Sequence, residues 1–257
     1  MTRERKYYDL RNNVILISVI VSILLGRMVK DFNFPLTWVL NLLILGNVRR
    51  LKSSQFIQFI IRITFYFLHL AIFSLLLSSK YLKLEIQVNY LSLIILSLTI
   101  LIYIYINFRM FLFTLSDNYI ATLPVKYSKI HIILLIYSYI GAAICEELYF
   151  RMTIINFFTE LGIYSIFISA IYFFLFHYTV EWGDQFKIRD SILQLLMGVV
   201  FALIYYLSRD IKLVMFGHLL YNIPHIYIML KLYHRDYINP NHYQELLIKD
   251  DFDDLLI

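Results

Sequence analysis

Residues 133–158 read ILLIYSYIGAAICEELYFRMTIINFF, a run from Ile133 to Phe158 that is almost wholly apolar yet carries Glu146, Glu147 and Arg151 in its second half. At about 1.5 Å per residue, a helix of that length exceeds the ~30 Å of hydrocarbon in a bilayer. Each ionisable side chain at such depth costs roughly 2.5–3.5 kcal/mol or more, so a cluster of three points to function. This one segment therefore fixes the fold class and marks where chemistry is to be sought.

Working outward, further apolar segments occupy residues 13–29, 34–48, 56–79, 89–107, 161–181, 191–208 and 211–232. With the first they make about eight spans, which predicts an all-α polytopic transmembrane helical bundle. The second is the weakest, being short and opened by Pro35, and seven spans is the alternative count. The stretch from Arg109 to Ser128 has room for a surface helix. A chain of 257 residues that is 60% hydrophobic and 16% charged lies outside the range of soluble domains. The first apolar run lacks a small-residue cleavage site and is followed at once by another, so it reads as a retained span rather than a signal peptide.

The 23 Lys and Arg against 18 Asp and Glu leave a net charge of +5. The basic residues are scattered between spans and form no stripe, which argues against a nucleic-acid partner. They encode orientation instead. With eight spans, one side holds 15 Lys and Arg and the other 6, with Arg62 and Arg151 inside spans. The positive-inside rule then places both termini in the cytoplasm of a cell-membrane protein. Arg3, Arg5, Lys6 and Arg11, with Tyr7 and Tyr8, read as an interfacial anchor on the anionic leaflet of the bilayer. No repeat or linker divides the membrane part. The expected organisation is an N-terminal set of spans over 1–128, a membrane core with the acidic segment over 129–233 and a soluble acidic tail over 234–257, ending in the solvated run Asp250-Asp251-Phe252-Asp253-Asp254.

Within the opening segment, Glu147 and Arg151 stand at i and i+4 with the acid first, the spacing that lets them pair along one helix face. Glu146 is turned about 100° from Glu147 and has Phe150 at its own i+4 position. It is the acid without an intrahelical counter-charge, which suits a general base or acid working near neutrality. His177 ends an aromatic and aliphatic run, Phe173-Phe174-Leu175-Phe176-His177. If the two spans form a hairpin turning at Leu161-Gly162, Glu146 lies 15 residues before the turn and His177 16 after it, at matching depth. His218 and Asn222 lie one turn apart on the last span, and both can donate a hydrogen bond to a developing negative charge. Pro224 offers a kink beside them, and His225 shares the His218 face in a structural or gating role. By residue count His218 lies nearer its own turn than Glu146 and His177 lie to theirs, so tilt or a broken span must bring it to their depth. Arg62 and His69, seven residues apart on one face, fit either a structural pair or the lining of a pathway.

The Glu-Glu-x-x-x-Arg motif (Glu146, Glu147, Arg151), the Phe-x-x-x-His motif (Phe173, His177) and the His-x-x-x-Asn motif (His218, Asn222) together resemble the CPBP family of intramembrane proteases. This family, also called Abi, includes the type II CAAX prenyl endopeptidases and bacterial bacteriocin-processing and immunity proteins. The resemblance covers roughly residues 130–232 and departs from many relatives at Met152, where they carry glycine. It implies a glutamate-type endopeptidase. Glu146, assisted by His177, would activate water for attack on a peptide carbonyl and then pass the proton to the leaving amine. His218 and Asn222 would stabilise the oxyanion, with Glu147 and Arg151 in support. No cofactor is implied.

Rival readings remain at this point. Cys145 as nucleophile is disfavoured because its apolar neighbours give a thiolate no support, and one cysteine excludes an internal disulfide. Zinc held by Glu and His is a further alternative, though no His-Glu-x-x-His occurs. A proton-coupled transporter would also use buried acids and histidines. The non-enzymatic alternative is a membrane scaffold that regulates a sensor kinase or secretion system. For the protease, the partner is a membrane-associated peptide or protein, in bacteriocin or pheromone processing or self-immunity if the cell is bacterial.

Overall fold

The computed structural model describes residues 3–48, 56–78, 89–180 and 188–246, and every regular element among them is helical. The main helices are α1 (Arg3–Met28), α2 (Asn33–Val48), α3 (Phe56–Ser78), α4 (Tyr90–Thr114), α5 (Asp117–Thr122) and α6 (Lys129–Glu147). A π-helical turn, Leu148–Thr153, carries α6 directly into α7 (Ile154–Phe157), and α8 (Tyr164–Val180), α9 (Ile188–Ser208) and α10 (Ile211–Tyr233) follow. Among the described residues, five helical stretches are long and apolar enough to cross a membrane, including Lys129–Phe157 as one unit. Three shorter apolar helices, Asn12–Met28, Asn33–Val48 and Tyr164–His177, fall where the remaining three spans are expected. The protein is a multi-pass membrane protein for which about eight spans is plausible.

Helix ends and span ends differ for a physical reason. The helix of α1 begins at Arg3, ten residues before the apolar run, because charged side chains do not stop a helix once it leaves the hydrocarbon. Likewise α4 continues past residue 107 through Arg109 to Thr114. The surface helix expected after it is α5, opened by Ser116, whose hydroxyl accepts the Tyr119 N–H at 3.2 Å as an N-cap. The acidic run 250–254 lies outside the described residues, as do the side chains of residues 1–11.

Two compact units divide the contacts: residues 1–96 with 144–215, and residues 97–143 with 216–257. The first has a core of Phe34, Trp38, Leu45, Phe67, Leu70, Cys145, Tyr149, Phe150, Ile154, Phe158, Tyr172, Phe173 and Phe176. Here the short α2 finds its explanation. Phe34 meets Phe158 at 5.1 Å and Tyr172 at 4.9 Å between ring centroids, and Trp38 meets Tyr172 at 4.8 Å, all edge to face. A helix that buries two large aromatics against its neighbours is held by protein contacts and needs less lipid-facing length. Gly26 lets α1 and α2 approach closely, since a Cβ there would stand 2.6 Å from Pro35 Cγ. On the other side of the motif, α7 passes through a short 3-10 turn to Gly162, whose φ of +56° reverses the chain into α8 at a position that favours glycine.

The second unit has a smaller core of Ile120, Ala121, Ile132, Leu232 and Tyr243. Residues 234–246 are helical for most of their length. Arg235 explains their order: its guanidinium donates to the carbonyls of Ile120 (2.7 Å), Leu123 (2.9 Å) and Val125 (2.6 Å), satisfying the end of α5 and the strand of chain after it. On α4, Leu101, Ile102 and Tyr105 are exposed on an apolar face.

Candidate active site

The acidic segment lies in the first unit, where the end of α6 and the π turn pack beside α8. Glu147 and Arg151 pair as their spacing predicts, with Nε 3.0 Å from Oε2 and both side chains fully buried. The Arg151 guanidinium carbon also lies over the Phe173 ring, 4.0 Å from its centroid. Burial makes this pair costly to break, because either partner left alone is an uncompensated charge in an apolar interior.

Glu146 faces another way and meets α8 instead. Its Oε2 lies 3.5 Å from Nε2 of His177, and Glu146 is 2% exposed. The hairpin turning at Leu161-Gly162 thus puts the two residues at one depth, as the residue count requires. His177 Nδ1 is 2.9 Å from the Phe173 carbonyl. A carbonyl only accepts, so Nδ1 carries the hydrogen and Nε2 is the nitrogen that faces the carboxylate. The imidazole nitrogen thus faces the carboxylate directly, and these are the two kinds of side chain that most often exchange protons in general acid–base chemistry.

The backbone between these residues is unusual. In an α-helix the Ile154 N–H would bond to the Phe150 carbonyl; here it reaches Tyr149 and Arg151 and skips Phe150. The Phe150 carbonyl accepts the Ser169 hydroxyl of α8 at 2.7 Å, with both groups buried. Thr153 Oγ1 donates to the Leu148 carbonyl five residues back. Leaving a buried carbonyl without a partner costs roughly 1–3 kcal/mol, so the serine supports the turn that the backbone register strains. Single π turns of this kind occur often at functional sites.

A second polar chain ties this motif to the N-terminal helices. Thr37 donates to the Phe34 carbonyl at 3.0 Å, so the Tyr149 hydroxyl, 3.2 Å away, must be the donor to Thr37 Oγ1. Trp38 Nε1 donates to Ser18 at 3.1 Å, joining α2 to α1. These groups are the part of the site that the sequence motifs do not reveal, since threonine and tyrosine inside spans look like ordinary packing residues. Ser169 had one available signal: it stands four residues before Phe173 and eight before His177, on the same stripe of α8.

His218 and Asn222 belong to the second unit. They share the face expected from their spacing and are 7% and 8% exposed. Asn222 Nδ2 donates to the Tyr139 carbonyl at 3.1 Å, which fixes the amide and leaves its second N–H able to donate. Tyr139 stacks on His225 with centroids 5.5 Å apart, and Tyr221 meets Tyr103 at 4.4 Å. The helix α10 runs continuously through Pro224. Elsewhere, His69 is held by its own helix, with Nδ1 2.6 Å from the Phe65 carbonyl, while Arg62 is half-buried. Among the described residues no group of three or more His, Cys, Asp or Glu side chains is placed to hold a metal ion.

Residues 128–224 match the family model described as Type II CAAX prenyl endopeptidase Rce1-like. The matched stretch contains all three motifs and is consistent with the CPBP family that they resemble. It supports CAAX-type intramembrane protease activity, on substrates associated with the membrane. Rce1-like proteases are not known to need cofactors. No curated protein matches the chain, and no solved structure matches it.

Proposed function

We propose that this protein is a glutamate-type intramembrane endopeptidase whose general base is Glu146. The observation that carries the reading is the 3.5 Å approach of Glu146 Oε2 to His177 Nε2 beside a fully buried Glu147–Arg151 pair. One acid is committed to a counter-charge, and the other is directed at an imidazole.

The chemistry follows from this division. Glu146 accepts a proton from water as the water oxygen bonds to the peptide carbonyl carbon, and the carbonyl oxygen becomes an oxyanion. His218 and Asn222 are assigned the hydrogen bonds to that oxyanion, on the ground of donor chemistry and family resemblance. Glu146 then returns the proton to the leaving nitrogen as the carbon–nitrogen bond breaks, giving an amine and a carboxylic acid that ionises. His177 orients Glu146 and shares its proton. Glu147 and Arg151 hold the segment in place. The catalytic core is assigned to residues 129–233, both termini to the cytoplasmic side of a cell membrane, and the substrate to a membrane-associated peptide, with bacteriocin or pheromone processing and self-immunity as the bacterial settings.

The test uses the full chain in liposomes with a farnesylated peptide ending in a CAAX sequence, in water enriched in oxygen-18. The expected result is one new carboxylate bearing a single heavy oxygen, and loss of product in Glu146→Ala. Cleavage retained in Glu146→Ala overturns the mechanism. A non-catalytic scaffold predicts a cellular phenotype, in immunity or in signalling through a sensor kinase, that survives both Glu146→Ala and His177→Ala.

A further inference from the structure

Three of the contacts that join α8 to the acidic segment fall at a four-residue interval along one stripe of the helix. The Ser169 hydroxyl bonds to the Phe150 carbonyl at 2.7 Å, the Phe173 ring lies under the Arg151 guanidinium at 4.0 Å, and His177 meets Glu146 at 3.5 Å. Positions i, i+4 and i+8 on a helix lie one above the other with a slow drift, so the three act on the segment as successive rungs. The first rung is unlike ordinary serine behaviour in a span. A buried serine usually returns its hydroxyl to its own helix, as Ser74 does to Leu70 and Ser208 does to Ile204. Ser169 instead donates across to the carbonyl that the π turn skips.

We infer that Ser169 is a positioning residue for the Glu146–His177 pair, acting by holding the Phe150 carbonyl in the π register. Without that donor the segment gains by tightening to the α register, in which the Phe150 carbonyl takes the Ile154 N–H. Removing the π turn changes the rotation of the chain after Glu147 relative to α6. Phe150 and Arg151 then no longer meet Phe173 as they do, and the seating of Glu146 against the next rung, His177, changes with them. The inference deepens the protease reading and rests on it only for its kinetic consequence, because the geometry of the pair is measurable without turnover.

The experiment uses full-length protein in lipid bilayers with nitrogen-15 histidine, the His177 signal being identified by its disappearance in His177→Gln. In the wild type, Nδ1 is expected as the protonated nitrogen of the neutral ring. Ser169→Ala is expected to move the His177 titration midpoint by about 0.5 pH unit or more, and to lower kcat on the farnesylated peptide about tenfold with KM little changed. Ser169→Thr keeps the hydroxyl and is expected to restore both. Ser169→Cys keeps the volume with a weaker donor, and serves if the alanine variant does not fold. A folded Ser169→Ala or Ser169→Cys protein with wild-type His177 titration overturns the inference. If the wild type cleaves no peptide, the protease reading fails while the titration still decides the role of Ser169.

Discussion

Two ion pairs in this molecule have opposite characters. Lys231 and Asp117 approach to 2.6 Å, closer than the 3.0 Å of Arg151 and Glu147. Yet the Asp117 and Lys231 side chains are 40% and 20% exposed, beside an open cavity of about 320 Å³ lined also by His234, His242 and Tyr243, whereas Glu147 and Arg151 are sealed. The shorter pair is the weaker one in consequence. Water and salt screen it, and either partner can be rehydrated if the other is lost. The buried pair gains little net stability by existing, but losing one member strands a charge in an apolar interior. Distance alone therefore ranks the two wrongly, and surroundings rank them correctly.

The largest expected effect breaks the buried pair. Arg151→Met should destabilise the protein by about 3–5 kcal/mol, and the double change Glu147→Leu with Arg151→Met should recover a large part of that loss. Thermal unfolding in detergent, followed by tryptophan fluorescence, reads both. Equal damage in single and double variants would show that the cation–π contact with Phe173, not the charge pairing, is what matters. Next in size, Tyr149→Phe removes the donor to Thr37 inside the same motif and should cost about 1 kcal/mol by the same measurement.

The exposed pair should respond weakly. Asp117→Asn is expected to cost about 0.2–1 kcal/mol, and the loss should shrink further in high salt. Its pH dependence has a definite sign. The Lys231 ammonium bonded to Asp117, helped by Tyr243 and His242, holds the Asp117 carboxyl below its ordinary value. The stabilisation is thus complete above the usual carboxylate range and is lost as pH falls through that range and below it. Tyr243 behaves in the opposite sense: burial and then the Asp117 charge push its phenol up, so its contribution is complete below the ordinary tyrosine value and is lost as pH rises through the raised one. Hydrogen exchange across residues 240–246 should accordingly be slowest between these limits. Protection that is flat from strongly acid to strongly alkaline conditions would contradict the assignment.

The contrast also explains what could be read from the chain. Hydropathy located the apolar helices because a bilayer demands long uncharged runs, and the i, i+4 rule anticipated the Glu147–Arg151 pair because the two residues follow one another along a continuous helical segment. Counting residues from the turn at Leu161-Gly162 put Glu146 and His177 at one depth, which needs only helical rise. The π turn was not legible, since nothing in Leu148–Thr153 distinguishes it from an α-helix until Ser169 of another helix is brought beside it. The order of residues 234–246 was hidden for a similar reason: Arg235 reads as one more basic residue until the carbonyls of Ile120, Leu123 and Val125 converge on it. Pro35 made α2 look doubtful, although a proline in the first turn of a helix costs no hydrogen bond.

Separate tasks for the two adjacent acids are tested in one measurement. Glu146→Gln and Glu147→Gln are each reconstituted in liposomes, and kcat/KM on the farnesylated peptide is compared with the unfolding temperature. The expected result is that Glu146→Gln loses activity by about 10²–10⁴-fold while unfolding near the wild-type temperature. Glu147→Gln should instead unfold earlier, and keep measurable turnover while it remains folded. Equal activity of Glu146→Gln and wild type would contradict the account.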